Sequence, residues 1–163
     1  MAHHGSHRHV ACAVLTASDT RTPETDTSGQ RIQSLLREAG HQVAAYAILP
    51  DDPRQIGVQL DTWLTEPSIH AVLINGGTGL APRDTTFEAI SARLDKHLDG
   101  FGELFRRLSF DEIGAAAMLS RAIAGTAQGR FVASMPGSTP AVELAMTRLI
   151  IPQLGHIVAL LTS

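Results

Sequence analysis

The sequence predicts an α/β protein, a three-layer α/β/α sandwich around a mostly parallel sheet. Two patterns carry this reading: apolar runs of small and β-branched residues alternate with segments whose apolar residues recur at helical spacing, and short connections join them. Such alternation implies parallel strands linked by right-handed crossovers, with ligands gathered at the carboxyl ends of the strands.

The elements follow in order. His9–Ser18, HVACAVLTAS, is a nearly continuous apolar run, as expected of a central strand covered on both faces. After the polar stretch SDTRTPETDTSG, residues Ile32, Leu35, Leu36 and Ala39 mark a helix, and Gly40 stands where a C-terminal cap belongs. A second strand, HQVAAYAIL, leads through PDDP into a helix capped by Asp52, started by Pro53 and carrying Ile56, Leu60, Trp63 and Leu64 on its apolar face. A third strand, AVLIN, ends at Asn75. Thr85 with Glu88 fits a capping box opening a helix through Leu94, and Ser109 with Glu112 fits a second. IAGTAQGRFVASM reads as two short strands around Gln128-Gly129. Thr139 and Pro140 then open a helix that Pro152 interrupts, and QLGHIVALL closes the sequence.

Composition narrows the function classes. At 163 residues the chain fits one domain, which we place at 9–163 behind a mobile, His-rich tail at 1–8. A formal charge of −3 and a pI near 6.2 argue against a nucleic-acid binder. No apolar run approaches the roughly 20 residues of a bilayer span, so a cytoplasmic protein without a membrane partner is expected. Cys12 stands alone in an apolar run, which leaves no disulfide framework and no thiolate metal site.

Four loops after strand-like runs hold most of the unusual polar and glycine content: Thr16-Ala17-Ser18-Asp19, Pro50-Asp51-Asp52, Gly76-Gly77-Thr78-Gly79 and Pro136-Gly137-Ser138. In this fold class they converge on one rim. The Gly76–Gly79 backbone could cradle an anion, phosphate above all, although neither a P-loop nor a dinucleotide fingerprint is present. Arg83 and Asp84 add a guanidinium for phosphate oxygens and a carboxylate for Mg²⁺; alternatively, Asp84 pairs with Arg83 or with helix amides near Thr85. Asp51 or Asp52 is a second candidate carboxylate. Arg106 and Arg107 read as a solvated face, and His41, His70, His97 and His156 as surface or packing residues. A dinucleotide enzyme is disfavoured, because SDTRTPETD follows the first strand.

LINGGTGLAPRDTT, GFGELFRRLSFDEIG, AMLSRAIAG and MPGSTPAV, with DTSG before them and IIPQL after, resemble the MoaB/MogA proteins of molybdenum cofactor synthesis from about Val10 to about Leu161. GFGELFRRLSFDEIG and MPGST resemble MoaB, whereas PRDTT resembles MogA and archaeal MoaB. The resemblance implies a homotrimer or homohexamer, with other proteins of cofactor synthesis as candidate partners. It implies molybdopterin and ATP as substrates, with AMP joined to the pterin phosphate and pyrophosphate released. Asp51 and Asp84 match the family's two important aspartates and are expected to be catalytic and to hold Mg²⁺. Gly76, Gly77, Thr78, Gly79, Arg83, Pro136, Gly137 and Ser138 are expected to contact pterin or phosphate, with Gly102, Glu103 and Ser120 as further substrate contacts. Thr16, Ser18 and Asp19 are expected near the nucleotide. The alternative is a MoaB paralogue that binds molybdopterin without turning it over.

Overall fold

A computed structural model of the chain describes residues 8–163. The expected tail at 1–8 therefore lies outside the described residues except for Arg8, which donates to Thr162 Oγ1 at 2.6 Å. Six strands form one sheet in the order β2-β1-β3-β6-β5-β4. β1 (Ala11–Ala17) is parallel to β2 (Gln42–Leu49) and β3 (Ala71–Asn75), and β3 is parallel to β6 (Arg130–Met135). β5 (Ile123–Ala127) and the two-residue β4 (Lys96–His97) add an antiparallel edge. Gln128 and Gly129 turn the β5–β6 hairpin, both at positive φ.

The three layers follow from the alternation of side chains along each strand. Cys12, Val14, Ala71, Leu73, Phe131 and Ala133 pack on one side with α1 (Thr27–Glu38), α4 (Asp99–Ile113), α5 (Thr139–Ala145) and α6 (Ile151–Leu161). Ala13, Leu15, Val72, Ile74 and Val132 pack on the other with α2 (Pro53–Leu64) and α3 (Thr86–Ser91). Every residue of β1 is buried, which is why its sequence lacks polar alternation. Cys12 is fully buried, and burial pushes its thiol up to about 12.

Several local expectations need correction. Ser109 starts no helix: it is a buried residue inside α4, which runs unbroken through GFGELFRRLSFDEI because Phe101 and Phe105 supply a core-facing stripe. α3 stops at Ser91, short of Leu94; its N-cap Thr85 makes no side-chain cap bond, and Glu88 faces Arg121 instead. Pro152 does not interrupt the last helix, because the wider turn just before it accommodates a residue that has no N–H to donate. The chain passes from α5 through one wide π turn (Met146–Ile150) directly into α6. Thr139–Leu161 is thus a 23-residue helix, long and apolar enough by length and composition to cross a membrane, contrary to the expectation that no run approaches that length. Here Val142, Met146, Ile150, Leu154 and Val158 pack it onto the sheet.

Candidate functional site

The chain leaves β1 toward β2 on one side and reaches β3 on the other, so the sheet's topological switch point lies between the carboxyl ends of β1 and β3. A buried polar network bridges it. Asn75 Nδ2 donates to Thr16 Oγ1 at 2.9 Å, Thr16 Oγ1 donates to Asp26 Oδ2 at 2.7 Å, and Ser28 Oγ donates to Asn75 Oδ1 at 2.8 Å. Asp26 is fully buried, caps α1 by accepting from the Gly29 amide at 3.0 Å, and also accepts from the Tyr46 hydroxyl. A polar side chain this deep is tolerated because so many donors reach it. The same contact, with burial the larger cause, drives the Tyr46 phenol well above its ordinary range.

The four expected loops do meet on this rim. A Cβ at Gly76 would lie 2.2 Å from the Ala17 carbonyl oxygen, and one at Gly137 would lie 3.2 Å from Gly76 Cα, so the β1, β3 and β6 loops touch at backbone distance. The Asp51 amide donates to Asp19 Oδ1 at 3.0 Å, which joins the β2 loop to the β1 loop. Gly76 and Gly77 adopt φ of +95° and +69°, conformations that a glycine takes at little cost. Gly77, Thr78, Gly79, Asp84, Ser120, Pro136, Gly137 and Ser138 line one cavity of about 350 Å³.

The two candidate carboxylates flank this cradle. Asp52 caps α2 by accepting from the Arg54 amide at 2.9 Å, which frees Asp51 to face the rim. A Cβ at Gly77 would lie 3.3 Å from Asp51 Oδ1 and 2.0 Å from Thr86 Oγ1, whose hydroxyl is buried without a hydrogen-bond partner. Burial raises the Asp51 carboxyl above the usual carboxylate range, and the negative charges of Asp19 and Asp84 raise it further. Asp84 Oδ2 accepts from the Ala81 amide at 3.0 Å, folding the carboxylate back over Gly79.

Other expected residues are placed differently. Arg83 does not pair with Asp84: its Nε and Nη2 donate to Asp19 at 2.7 and 2.6 Å in an exposed pair, which holds the Asp19 carboxyl below its ordinary range. Ser18 Oγ accepts from the Thr20 and Arg21 amides, and Ser138 Oγ caps α5 by accepting from the Ala141 amide at 3.3 Å. Gly102 and Glu103 line a second cavity of about 450 Å³, shared with Ser120 and distinct from the glycine cradle. Arg106 lines it too, donating to the Ser120 and Ala122 carbonyls at 3.3 and 3.2 Å, so only Arg107, paired with Asp111, fits the solvated face. His41 and His70 are packing residues whose Nδ1 atoms accept from the Val10 and Ala11 amides. Asp26, Asn75, Thr86 and Arg121 were not singled out as site residues, although all four lie within the quoted motif stretches; Asp26 carried in addition a local signal, an N-cap residue just ahead of the apolar helical spacing.

The family model described as "Probable molybdopterin binding domain" matches residues 13–156. The chain belongs to this family. It is 57% identical over 149 residues to molybdenum cofactor biosynthesis protein B of Halalkalibacterium halodurans, covering 91% of this chain and 88% of that one. A crystal structure of a molybdenum cofactor biosynthesis protein B superposes with a TM-score of 0.92 at 52% identity, covering 95% of this chain and 97% of that one. The tungsten cofactor synthesizing protein MoaB from Pyrococcus furiosus superposes with a TM-score of 0.83 at 34% identity, covering 96% and 99%. This member of the molybdenum cofactor biosynthesis proteins therefore shares its α/β sandwich with its relatives over nearly its whole length.

Proposed function

We propose that the protein is a molybdopterin adenylyltransferase, joining AMP from Mg·ATP to the terminal phosphate of molybdopterin with release of pyrophosphate. The observation that carries this reading is the convergence of the Asp51 and Asp84 carboxylates on the glycine cradle, Asp51 beside Gly77 and Asp84 beside Gly79, with Asp84 also lining the cavity. The donor set suits Mg²⁺, a hard cation held through one or two carboxylates and completed by water and substrate phosphates. Among the described residues no group of three or more His, Cys, Asp or Glu side chains is gathered for a metal, so an all-protein cage is not the fit. When bound, Mg²⁺ supplies charge neutralisation across the reacting phosphates.

In this reading Asp51 and Asp84 hold the cation, and the amides of Gly77 to Gly79 offer preorganised donors to phosphate oxygens. A pterin phosphate oxygen forms a bond to the α-phosphorus of ATP while the bond from that phosphorus to the bridging oxygen breaks and pyrophosphate departs. No protein nucleophile is required; positioning and electrostatics suffice. In this reading the Pro136–Ser138 loop, which lines the cavity, contacts the pterin, and the Thr16–Asp19 loop beside the cradle, with Arg83 fixed to it, faces the nucleotide. The apolar groove between α4 and α6, with Leu98 and Leu104 exposed on its wall, supports a homotrimer or homohexamer.

The test is incubation with molybdopterin and Mg·ATP, with adenylylated pterin and pyrophosphate as readouts, for the parent and for Asp84→Asn. Asparagine keeps an acceptor for the Ala81 amide and removes the charge, so the fold and pterin binding should persist. Turnover should fall about 100-fold, or about 2.7 kcal/mol of transition-state stabilisation. A parent that binds pterin without forming product would make the protein a carrier rather than an enzyme, and an Asp84→Asn variant within a few-fold of an active parent would remove Asp84 from the reaction.

A further inference from the structure

We propose that Arg121 is a positioning residue: it clamps both ends of the 79–84 segment and thereby sets the Asp84 carboxylate against the glycine cradle. The inference deepens the adenylyltransferase reading and rests on it for its kinetic consequence, though not for its structural one. Arg121 follows the 3-10 turn at Gly114–Leu119 and precedes β5, far in sequence from the loop it holds.

Three of its donors meet three loop carbonyls. Its backbone amide donates to Thr78 O at 2.9 Å, its Nε to Gly79 O at 3.0 Å and its Nη2 to Asp84 O at 2.8 Å. The planar guanidinium has the fork geometry to reach two carbonyls at once, which a lysine ammonium on a flexible stem does not. The fork is itself pinned from α3. It lies over the Phe87 ring at 5.1 Å, its Nη1 donates to Glu88, and its Nη2 lies 3.4 Å from Glu88 Oε2.

The clamped segment has little else to order it. Leu80, Ala81, Pro82 and Arg83 are exposed, so the outer loop has no apolar anchor. Its internal ties are the Asp84 amide to Ala81 O at 2.9 Å and the Ala81 amide to Asp84 Oδ2 at 3.0 Å, and these fix the loop to itself rather than to the sheet. Arg83 ties it to the β1 loop through an exposed pair, which solvent screens. Holding the Asp84 carbonyl fixes that residue's main chain, and the Ala81 amide then fixes its carboxylate. Arg121 acts on the reaction through Asp84.

The experiment combines native-state hydrogen exchange of the amides at 77–86, read by mass spectrometry on the full chain, with steady-state turnover of molybdopterin and Mg·ATP. The variants are Arg121→Met, Arg121→Lys and Glu88→Gln. Arg121→Met should speed exchange in the loop about 10- to 100-fold while the amides of β1 and β3 keep the parent rate. It should lower kcat by a similar factor with KM within about 3-fold, the pattern of a misplaced group rather than a lost substrate contact. Arg121→Lys should recover part of both effects, and Glu88→Gln, which spares the carbonyl bonds and weakens only the fork's outer anchor, should show a smaller effect than Arg121→Met in both. Unchanged loop exchange in Arg121→Met overturns the clamp, as does exchange that rises equally in the core strands, which marks a general loss of stability. A loosened loop with unchanged kcat in an active parent overturns the positioning role. A parent with no turnover refutes the adenylyltransferase reading instead, and the exchange data alone then decide the clamp.

Discussion

Gly77 offers a way to separate backbone strain from steric conflict at the centre of the rim. In Gly77→Ala the new methyl meets two obstacles. Its φ of +69° costs an L-residue about 1–2 kcal/mol. Its Cβ would also stand 2.0 Å from Thr86 Oγ1 and 3.0 Å from Thr86 Cβ, and forcing a side chain of α3 to yield in a packed site costs about 1–3 kcal/mol. The single variant should therefore lose about 3 kcal/mol. Thr86→Ala removes a hydroxyl that is buried and has no partner, so deleting it forfeits no bond, and the lost methyl costs about 1 kcal/mol. In the double variant the 2.0 Å conflict disappears while the φ strain and the tight 3.0 Å approach to the Cβ at position 86 remain, and the two substitutions should couple by about 1–2 kcal/mol in the favourable direction. Urea unfolding at matched m-values, with the four proteins of the cycle, measures this directly. Losses that add to within about 0.5 kcal/mol would refute the steric account and leave φ strain as the whole cost.

Two further outcomes follow from groups away from the rim. Burial, reinforced by His9 near His41 and by Arg8, Arg130 and His9 near His70, holds both imidazoles below their ordinary pKa, and each must be neutral at Nδ1 to accept from the start of β1. The folded state then binds fewer protons than the unfolded one, so their stabilisation is complete above the unfolded value near 6.5 and is lost as pH falls below it. Denaturant midpoints should drop between pH 7.5 and 5.5 and flatten in His41→Asn/His70→Asn; a midpoint that rises on acidification would contradict the sign. Tyr46→Phe should cost about 2 kcal/mol, since it deletes a donor to the buried Asp26 carboxylate, and a thermal midpoint equal to the parent's would show that the remaining donors suffice.

The sheet was legible because burial on both faces writes itself into β1 and β3 as unbroken apolar runs, and because Asp52-Pro53 and Gly40 punctuate the helices with residues whose backbone roles are local. The last helix was misread because proline and glycine near Pro152 look like a stop, whereas the π turn that absorbs the geometry leaves no compositional mark. The rim was legible as four loops of turn-forming residues at strand ends. The partners within it were not, because Arg83 to Asp19 and Arg121 to Gly79 span 64 and 42 residues, separations that only the folded sheet closes. The Asp26–Tyr46 contact was hidden for the same reason, an edge-strand phenol meeting a helix cap.

Cys12 sits near the start of β1, a strand paired on both edges by β2 and β3, with its thiol pushed up to about 12. At neutral pH the folded protein therefore keeps this group as the unreactive thiol, and the sulfur is buried away from any reagent. Oxidants and alkylating agents reach it only when the middle of the sheet parts. The rate at which this one sulfur reacts is consequently a clock for the opening of the core, built into the wild-type chain, with no second thiol to blur the signal and no probe to disturb the packing it reports on.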